Sequence, residues 1–255
     1  MAEVNTVFFI FVGIAKILQQ TGDMCLAKTT RQTEKEQITM SSVTPNRFGI
    51  TSREGQGTPL LFLHGSARPA DAWIEDWQAF TRALGTDRPS IFLRGHHLQP
   101  DGYSFVRRTS NHSLNPEEIV SDSVDCVTFL TTALPATEKG SRQPILVGYS
   151  SGAIFATALI CQMPDLFGGA ILLRPQSPFA KQQPIDPFAL SRKPILLLSG
   201  NRDSRRSPSD GSALAQNLRN RGAIVTHYDL DTDHNWEQNG QDATLAKAWL
   251  DQLGS

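Results

Sequence analysis

Ile145-Leu146-Val147-Gly148-Tyr149-Ser150-Ser151-Gly152-Ala153 is the stretch on which the reading of this chain turns. Ile145 to Val147 form a short apolar run of buried-strand type, and Ala153 to Cys161 read as an apolar helix. A strand that turns at once into a helix needs small residues where backbone meets backbone, and Gly148 and Gly152 supply them on either side of Ser150. The serine hydroxyl is thereby held outward near a helix N-terminus. Exposed amides and the helix dipole there favour the negative charge that develops when a serine attacks an acyl carbon.

A G-x-S-x-G pattern also occurs in ordinary turns, so its neighbours decide its meaning. Upstream, Leu60-Leu61-Phe62-Leu63-His64-Gly65 is a buried strand ending in His-Gly. Downstream, an aspartate and a histidine follow further strands in the order Ser, Asp, His. His234, in Asp231-Thr232-Asp233-His234-Asn235, is the one histidine of six between the last strand and the last helix, and it is the expected general base. Its orienting acid is expected to be Asp203, just beyond the strand Ile195 to Leu198, where carboxylates at strand ends face the ligand crevice. Asp210 reads instead as an early helix residue, and Asp231 and Asp233 as makers of local turns. The oxyanion donors are expected to be the backbone amides of Ser151 and Ser66, with His64 buttressing the loop.

From about Pro45 onward strands and helices alternate, which implies a mostly parallel sheet covered on both faces. Arg47 to Ser52, Pro59 to Leu63, Ser90 to Leu93, Gly169 to Leu173, Pro194 to Leu198 and Ala223 to Tyr228 read as further strands. Helices are predicted over Asp71 to Leu84, Asn115 to Leu134, Ser209 to Arg221 with Gly222 as its cap, and Ala243 to Leu253. Asp101 to His112 reads as a polar loop, with Arg107-Arg108 able to bind an anion but more often a solvated surface pair in such a setting. The connection from Arg174 to Pro194 is too short for a lid domain, so the site is expected to be open.

The formal net charge of -1 shows no polybasic surface for nucleic acid or anionic lipid. Cys25, Cys126 and Cys161 are widely spaced with no C-x-x-C, which argues against a disulfide framework and fits a reducing, cytoplasmic setting. The adjacent pair His96-His97 invites a metal reading, but consecutive loop residues rarely converge on one ion and no third ligand has suitable spacing. No metal or cofactor is expected. Residues 1–42 read as an extension or linker ahead of a domain over 43–255. Val7 to Ile14 is too short to span a bilayer, so no stable membrane insertion is expected; as a signal h-region it would instead mean export. The oligomeric state is open, a homodimer being one option.

These motifs resemble the α/β-hydrolase superfamily, and within it the small bacterial phospholipase/carboxylesterase branch that includes hydrolases linked to hydroquinone and quinone stress. The resemblance runs from about Arg47 to the C-terminus. It rests on Leu63-His64-Gly65, Arg94-Gly95, Arg107-Arg108, Gly148 to Ala153, Leu172-Leu173-Arg174-Pro175, Gly200-Asn201-Arg202-Asp203 and Asp233-His234. It implies an α/β-hydrolase sheet without a large lid, metal-independent cleavage of a small-molecule ester or thioester, and a triad falling on Ser150, Asp203 and His234. Thioesterase or lysophospholipase activity is the nearest alternative to carboxylesterase. A non-catalytic, small-molecule-binding member of the fold is the alternative of another class. The chain departs from the branch at Ser66-Ala67-Arg68-Pro69, Ser151 and Asp233; the last puts a second carboxylate beside His234 and is expected to raise its pKa.

Overall fold

The computed structural model describes residues 48–66, 69–85, 87–109, 113–133, 142–179, 186–237 and 240–254. The reading of residues 1–42, with Val7 to Ile14 and Cys25, lies outside them, as do Ala67, Arg68 and Ile185. Among the described residues no helix is long and apolar enough to cross a membrane.

In chain order the strands are β1 (Gly49–Arg53), β2 (Leu60–Leu63), β3 (Ser90–Arg94), β4 (His97–Gln99), β5 (Gly102–Ser104), β6 (Ile145–Tyr149), β7 (Gly169–Leu173), β8 (Pro194–Gly200) and β9 (Ile224–Leu230). The α-helices are α1 (Ala70–Ala83), α2 (Pro116–Ala133), α3 (Ser151–Gln162), α4 (Asp210–Asn220) and α5 (Gln241–Gln252). A seven-stranded sheet runs in the order β1-β3-β2-β6-β7-β8-β9. Only β1 is antiparallel to its neighbour; it caps one edge by pairing with β3.

The central strands are apolar because both of their faces are covered. Every residue of β2, β6 and β7 is buried. The period of two sends Leu61, Leu63, Leu146, Leu172 and Leu197 into one core layer, with Phe155 and Ile160 of α3 and Leu130 of α2. Leu60, Phe62, Val147, Leu173 and Leu198 enter the other, with Trp77 and Phe80 of α1 and Trp249 and Leu250 of α5. Helix α3 is buried continuously from Ser151 to Ile160, which is why its sequence is apolar all round rather than striped. Helix α4 ends as its glycine predicts: Gly222, at φ 89°, lets its own amide reach Arg219 O and that of Ala223 reach Leu218 O.

The stretch from Asp101 to His112 departs from its reading as a polar loop. His97–Gln99 and Gly102–Ser104 pair as an antiparallel hairpin, after which Phe105 and Val106 plunge into the core. Strands of three residues are too short for alternation to register in sequence, and the buried Ser104 breaks the apolar pattern. Cys126 is buried in the core beside Phe129 and Leu130 of the same helix, and burial pushes its thiol up, so it is a packing residue.

Candidate active site

Strand β6 ends at Tyr149 and α3 begins at Ser151, so Ser150 alone occupies the turn, with φ 53° and ψ −110°. A non-glycine residue in that region carries about 1–3 kcal/mol of strain, which the surrounding packing has to hold. The two glycines make the turn feasible. A Cβ on Gly148 would lie 2.6 Å from Gly152 O, and one on Gly152 would lie 2.0 Å from Leu63 O. The start of α3 is therefore pressed against the end of β2, and Ser151 Oγ donates to His64 O at 3.3 Å, joining the nucleophile turn to the His64–Ser66 loop.

His64 stiffens that loop. Its Nδ1 donates to Gly65 O at 2.6 Å and its Nε2 accepts from Gly95 N at 2.9 Å, contacts that together require the neutral ring. Burial pushes its pKa down to about 4, outweighing the opposing bond to Gly65. Ser66 Oγ bonds to Ser104 Oγ at 2.7 Å, so the missed hairpin supports the loop whose amide was expected to serve an oxyanion.

Three residues expected at the site converge. Ser150 Oγ lies 2.9 Å from His234 Nε2, and His234 Nδ1 lies 2.7 Å from Asp203 Oδ2. Asp203 sits just past β8 and His234 just past β9; the other Asp203 oxygen accepts from Arg205 N at 2.9 Å. The carboxylate fixes the Nδ1–H tautomer and leaves the Nε2 lone pair facing the serine. Tyr149 Oη donates to His234 O at 3.0 Å.

The expectation that Asp233 raises the pKa of His234 is overturned. The Asp233 carboxylate turns away into a local turn, accepting from Asn235 N at 2.8 Å and Asn235 Nδ2 at 3.1 Å. Burial lowers the pKa of His234; the bond to Asp203 opposes this, while the charges of Arg206 and Arg205 add to it. The imidazole is thus kept neutral and able to accept a proton.

Two arginines were given no role in the reading of the sequence. Arg174, at φ 52° after β7, is 1% exposed and forms two 2.9 Å bonds to the Asp242 carboxylate. Its Nε donates to Asp233 O at 3.1 Å and its Nη2 to Asn235 O at 2.9 Å. It therefore holds the chain on both sides of His234. Arg206 approaches the nucleophile itself, with Nη2 at 3.4 Å from Ser150 Oγ. The run Arg202-Asp203-Ser204-Arg205-Arg206 was the signal, since residues beside a strand-end carboxylate share its crevice.

His96 and His97 also differ from expectation, because helix α2 supplies the third group that spacing did not reveal. Nε2 of His96 and of His97 lie 2.8 and 2.9 Å from Asp122 Oδ2. Ligating atoms of the three residues lie within 4.8 Å of one another, so a cation site has to be weighed. Arg107 Nε donates to His97 Nδ1 at 2.9 Å, which leaves the ring proton on Nε2, pointing at Asp122. A cation would have to displace that proton next to a guanidinium, and the set fits a hydrogen-bonded anchor of β4 on α2 better than a metal centre. Burial pushes the Asp122 carboxyl up, but bonds from His96 and His97 outweigh it and hold it below the usual range. Arg107, which also pairs with Glu118 at 3.2 Å, remains exposed, as its reading as a solvated residue expects.

The sequence profile of the alpha/beta hydrolase family matches residues 60–253, which contain the sheet from β2 onward and the whole serine–histidine–aspartate chain. The chain belongs to the alpha/beta hydrolase family. Among curated relatives, the Bacillus subtilis protein named as hydrolase MhqD is 26% identical over 190 residues, covering 74% of this chain and 90% of that protein. Esterase Rv0045c of Mycobacterium tuberculosis is 27% identical over 172 residues, 67% of this chain and 48% of its own length. Among solved structures, the Bacillus cereus carboxylesterase superposes with a TM-score of 0.69 at 23% identity, covering 80% of this chain and 94% of that one. A Mesorhizobium loti carboxylesterase gives 0.68 at 23% identity, covering 82% and 97%. At that identity the superpositions establish the fold alone: a mostly parallel sheet with helices on both faces.

Proposed function

We propose that this hydrolase-family chain cleaves small carboxylic esters through an acyl-enzyme. The observation that carries the reading is the unbroken path from Ser150 Oγ through His234 to Asp203, at 2.9 and 2.7 Å. Ser150 attacks the acyl carbon while His234 takes its proton, and His234 then returns the proton to the leaving alcohol. Asp203 orients the ring and stabilises the imidazolium. The amides of Ser151 and Ser66 receive the oxyanion, in a loop whose position His64 and Ser104 hold. Water then deacylates the serine by the same route. The mechanism uses no metal and no cofactor.

Names of relatives and neighbours, esterase and carboxylesterase among them, support the ester as substrate class. The test is a panel of p-nitrophenyl esters, thioesters and lysophospholipids assayed with the wild type and Ser150→Ala. Ester turnover abolished by the substitution is the expected result. Turnover confined to thioesters or lysophospholipids would move the assignment to those substrates, and turnover unaffected by Ser150→Ala would end it.

A further inference from the structure

The position of Arg206 has a consequence for the substrate. Its Nη2 is 3.4 Å from Ser150 Oγ, on the hydroxyl that also meets His234. Its remaining partners are main-chain carbonyls. Nε reaches Arg174 O and Pro175 O at 3.1 Å each, Nη2 reaches Arg174 O at 2.9 Å, and Nη1 reaches Arg205 O at 3.1 Å. Carbonyl dipoles fix the guanidinium in place without neutralising it. Among the described residues no carboxylate forms an ion pair with Arg206. The charges of Asp203 and Asp210 act on Arg206 through space, but the Asp203 carboxylate is engaged by His234 and Asp210 Oδ2 accepts from Ser207 N. Burial pushes the Arg206 pKa down to about 10, so the group stays cationic at neutral pH.

A second cation borders the same place. Arg108 Nη2 donates to Gln176 Oε1 at 3.0 Å, next to the carbonyls that hold Arg206, and its charge is felt at Arg206. The two arginines come from distant parts of the chain, Arg206 bonding to the carbonyls of Arg174 and Pro175 and Arg108 to the side chain of Gln176. Arg205 adds a third positive charge acting on His234.

We propose that the ester cleaved here carries a carboxylate on its acyl part, within a few bonds of the scissile carbonyl, and that Arg206, assisted by Arg108, binds it. The proposal rests on Ser150 being the nucleophile. An acyl carbon poised for attack lies about 3–3.5 Å from Oγ, so a group one to three bonds further on reaches the guanidinium. The leaving alcohol has to lie toward His234 Nε2, which protonates it, and this leaves the acyl part free to turn toward Arg206. The guanidinium is already fixed by the carbonyls, so little side-chain freedom is lost when an anion binds. An apolar acyl group there would instead cover a half-buried charge and gain no partner for it, which disfavours neutral esters.

Monoethyl succinate and ethyl butyrate differ by the carboxylate in question, and their hydrolysis can be followed by pH-stat in wild type, Arg206→Gln and Arg108→Gln. The wild type should favour monoethyl succinate in kcat/KM by roughly 10- to 100-fold, the range of one charge-assisted hydrogen bond. That ratio should collapse in Arg206→Gln, fall partway in Arg108→Gln, and shrink as salt is raised. The ratio is the readout because an arginine that only clamps residues 174–176 would slow both esters alike when replaced. Equal loss on both esters, or a wild type that prefers ethyl butyrate, would overturn the proposal while leaving the esterase reading intact. Absence of turnover on these and on p-nitrophenyl acetate would overturn both. If Arg206→Gln does not fold, the exposed Arg108 carries the test, and an unchanged ratio in Arg108→Gln with a salt-independent preference would refute the proposal.

Discussion

Replacing Asp242 by asparagine removes one charge from the pair that encloses the His234 loop while keeping the side-chain volume. Both partners are 1% exposed, and both carboxylate oxygens meet the guanidinium at 2.9 Å. Breaking such a pair from one side leaves an uncompensated buried cation and costs about 3–5 kcal/mol. For a domain of this size that corresponds to a fall in Tm of roughly 6–20 °C. The damage should also reach the chemistry, because Arg174 holds Asp233 O and Asn235 O, the carbonyls flanking His234, and Asp242 Oδ2 accepts from Glu237 N. A shift of about 1 Å in the ring can cost 100-fold in rate, so kcat should fall well before KM changes. Circular dichroism melts and ester kinetics at a temperature where both proteins are folded would measure the two effects. An Asp242→Asn variant with wild-type Tm and wild-type kcat would refute the argument that this pair positions the base.

Since the pKa of His234 is lowered, the imidazole stays neutral to more acid pH than an ordinary histidine, and the acid limb of kcat/KM should have its midpoint below pH 6.5. An acid limb centred above 6.5 would contradict this. His64 folds with a pKa of about 4 against 6.5 for the free ring, so the unfolded chain binds the proton more readily between those values. Its contribution to stability is therefore present above pH 6.5 and is lost as the pH falls toward 4, a change of about 3 kcal/mol. Urea titrations across that window should show a shallower pH dependence in His64→Gln, and an unchanged slope would exclude His64 as the cause. In the Arg174–Pro194 connection Phe179 packs on the Arg221 guanidinium at 4.6 Å and Leu190 is fully buried, so neither covers a long acyl chain. Acetate and butyrate esters should have higher kcat/KM than palmitate, with no jump at micelle formation; a rate climbing toward palmitate would be the contrary result.

Sequence order alone was enough to bring Ser150, Asp203 and His234 together, because each follows a strand of a parallel sheet and such strands end on one side. The glycines around Ser150 were legible for the same reason: backbone crowding leaves a mark at the crowded residue itself. Pairings over long separations leave no local mark. Arg174 and Asp242 are 68 residues apart, and His97 and Asp122 are 25 apart on a hairpin and a helix face. Neither partner predicts the other until the sheet has fixed their distance. Asp233 fails as a sequence argument in the opposite way. Adjacency to His234 suggested an electrostatic effect, yet the shortest path for that carboxylate is back to the amide of Asn235. Side-chain direction, not spacing, decides which neighbour a charge acts on.

The measurement closest to the central claim is covalent labelling of the wild type with a fluorophosphonate, followed by peptide mass spectrometry to locate the adduct. Such a reagent phosphonylates a serine that has a base within hydrogen-bond reach, and the 2.9 Å contact from Ser150 Oγ to His234 Nε2 supplies that base. The adduct should form at Ser150 alone, and labelling should be slowed by orders of magnitude in His234→Ala and absent in Ser150→Ala. Labelling of another residue, or equal labelling of Ser150 with and without His234, would contradict the account.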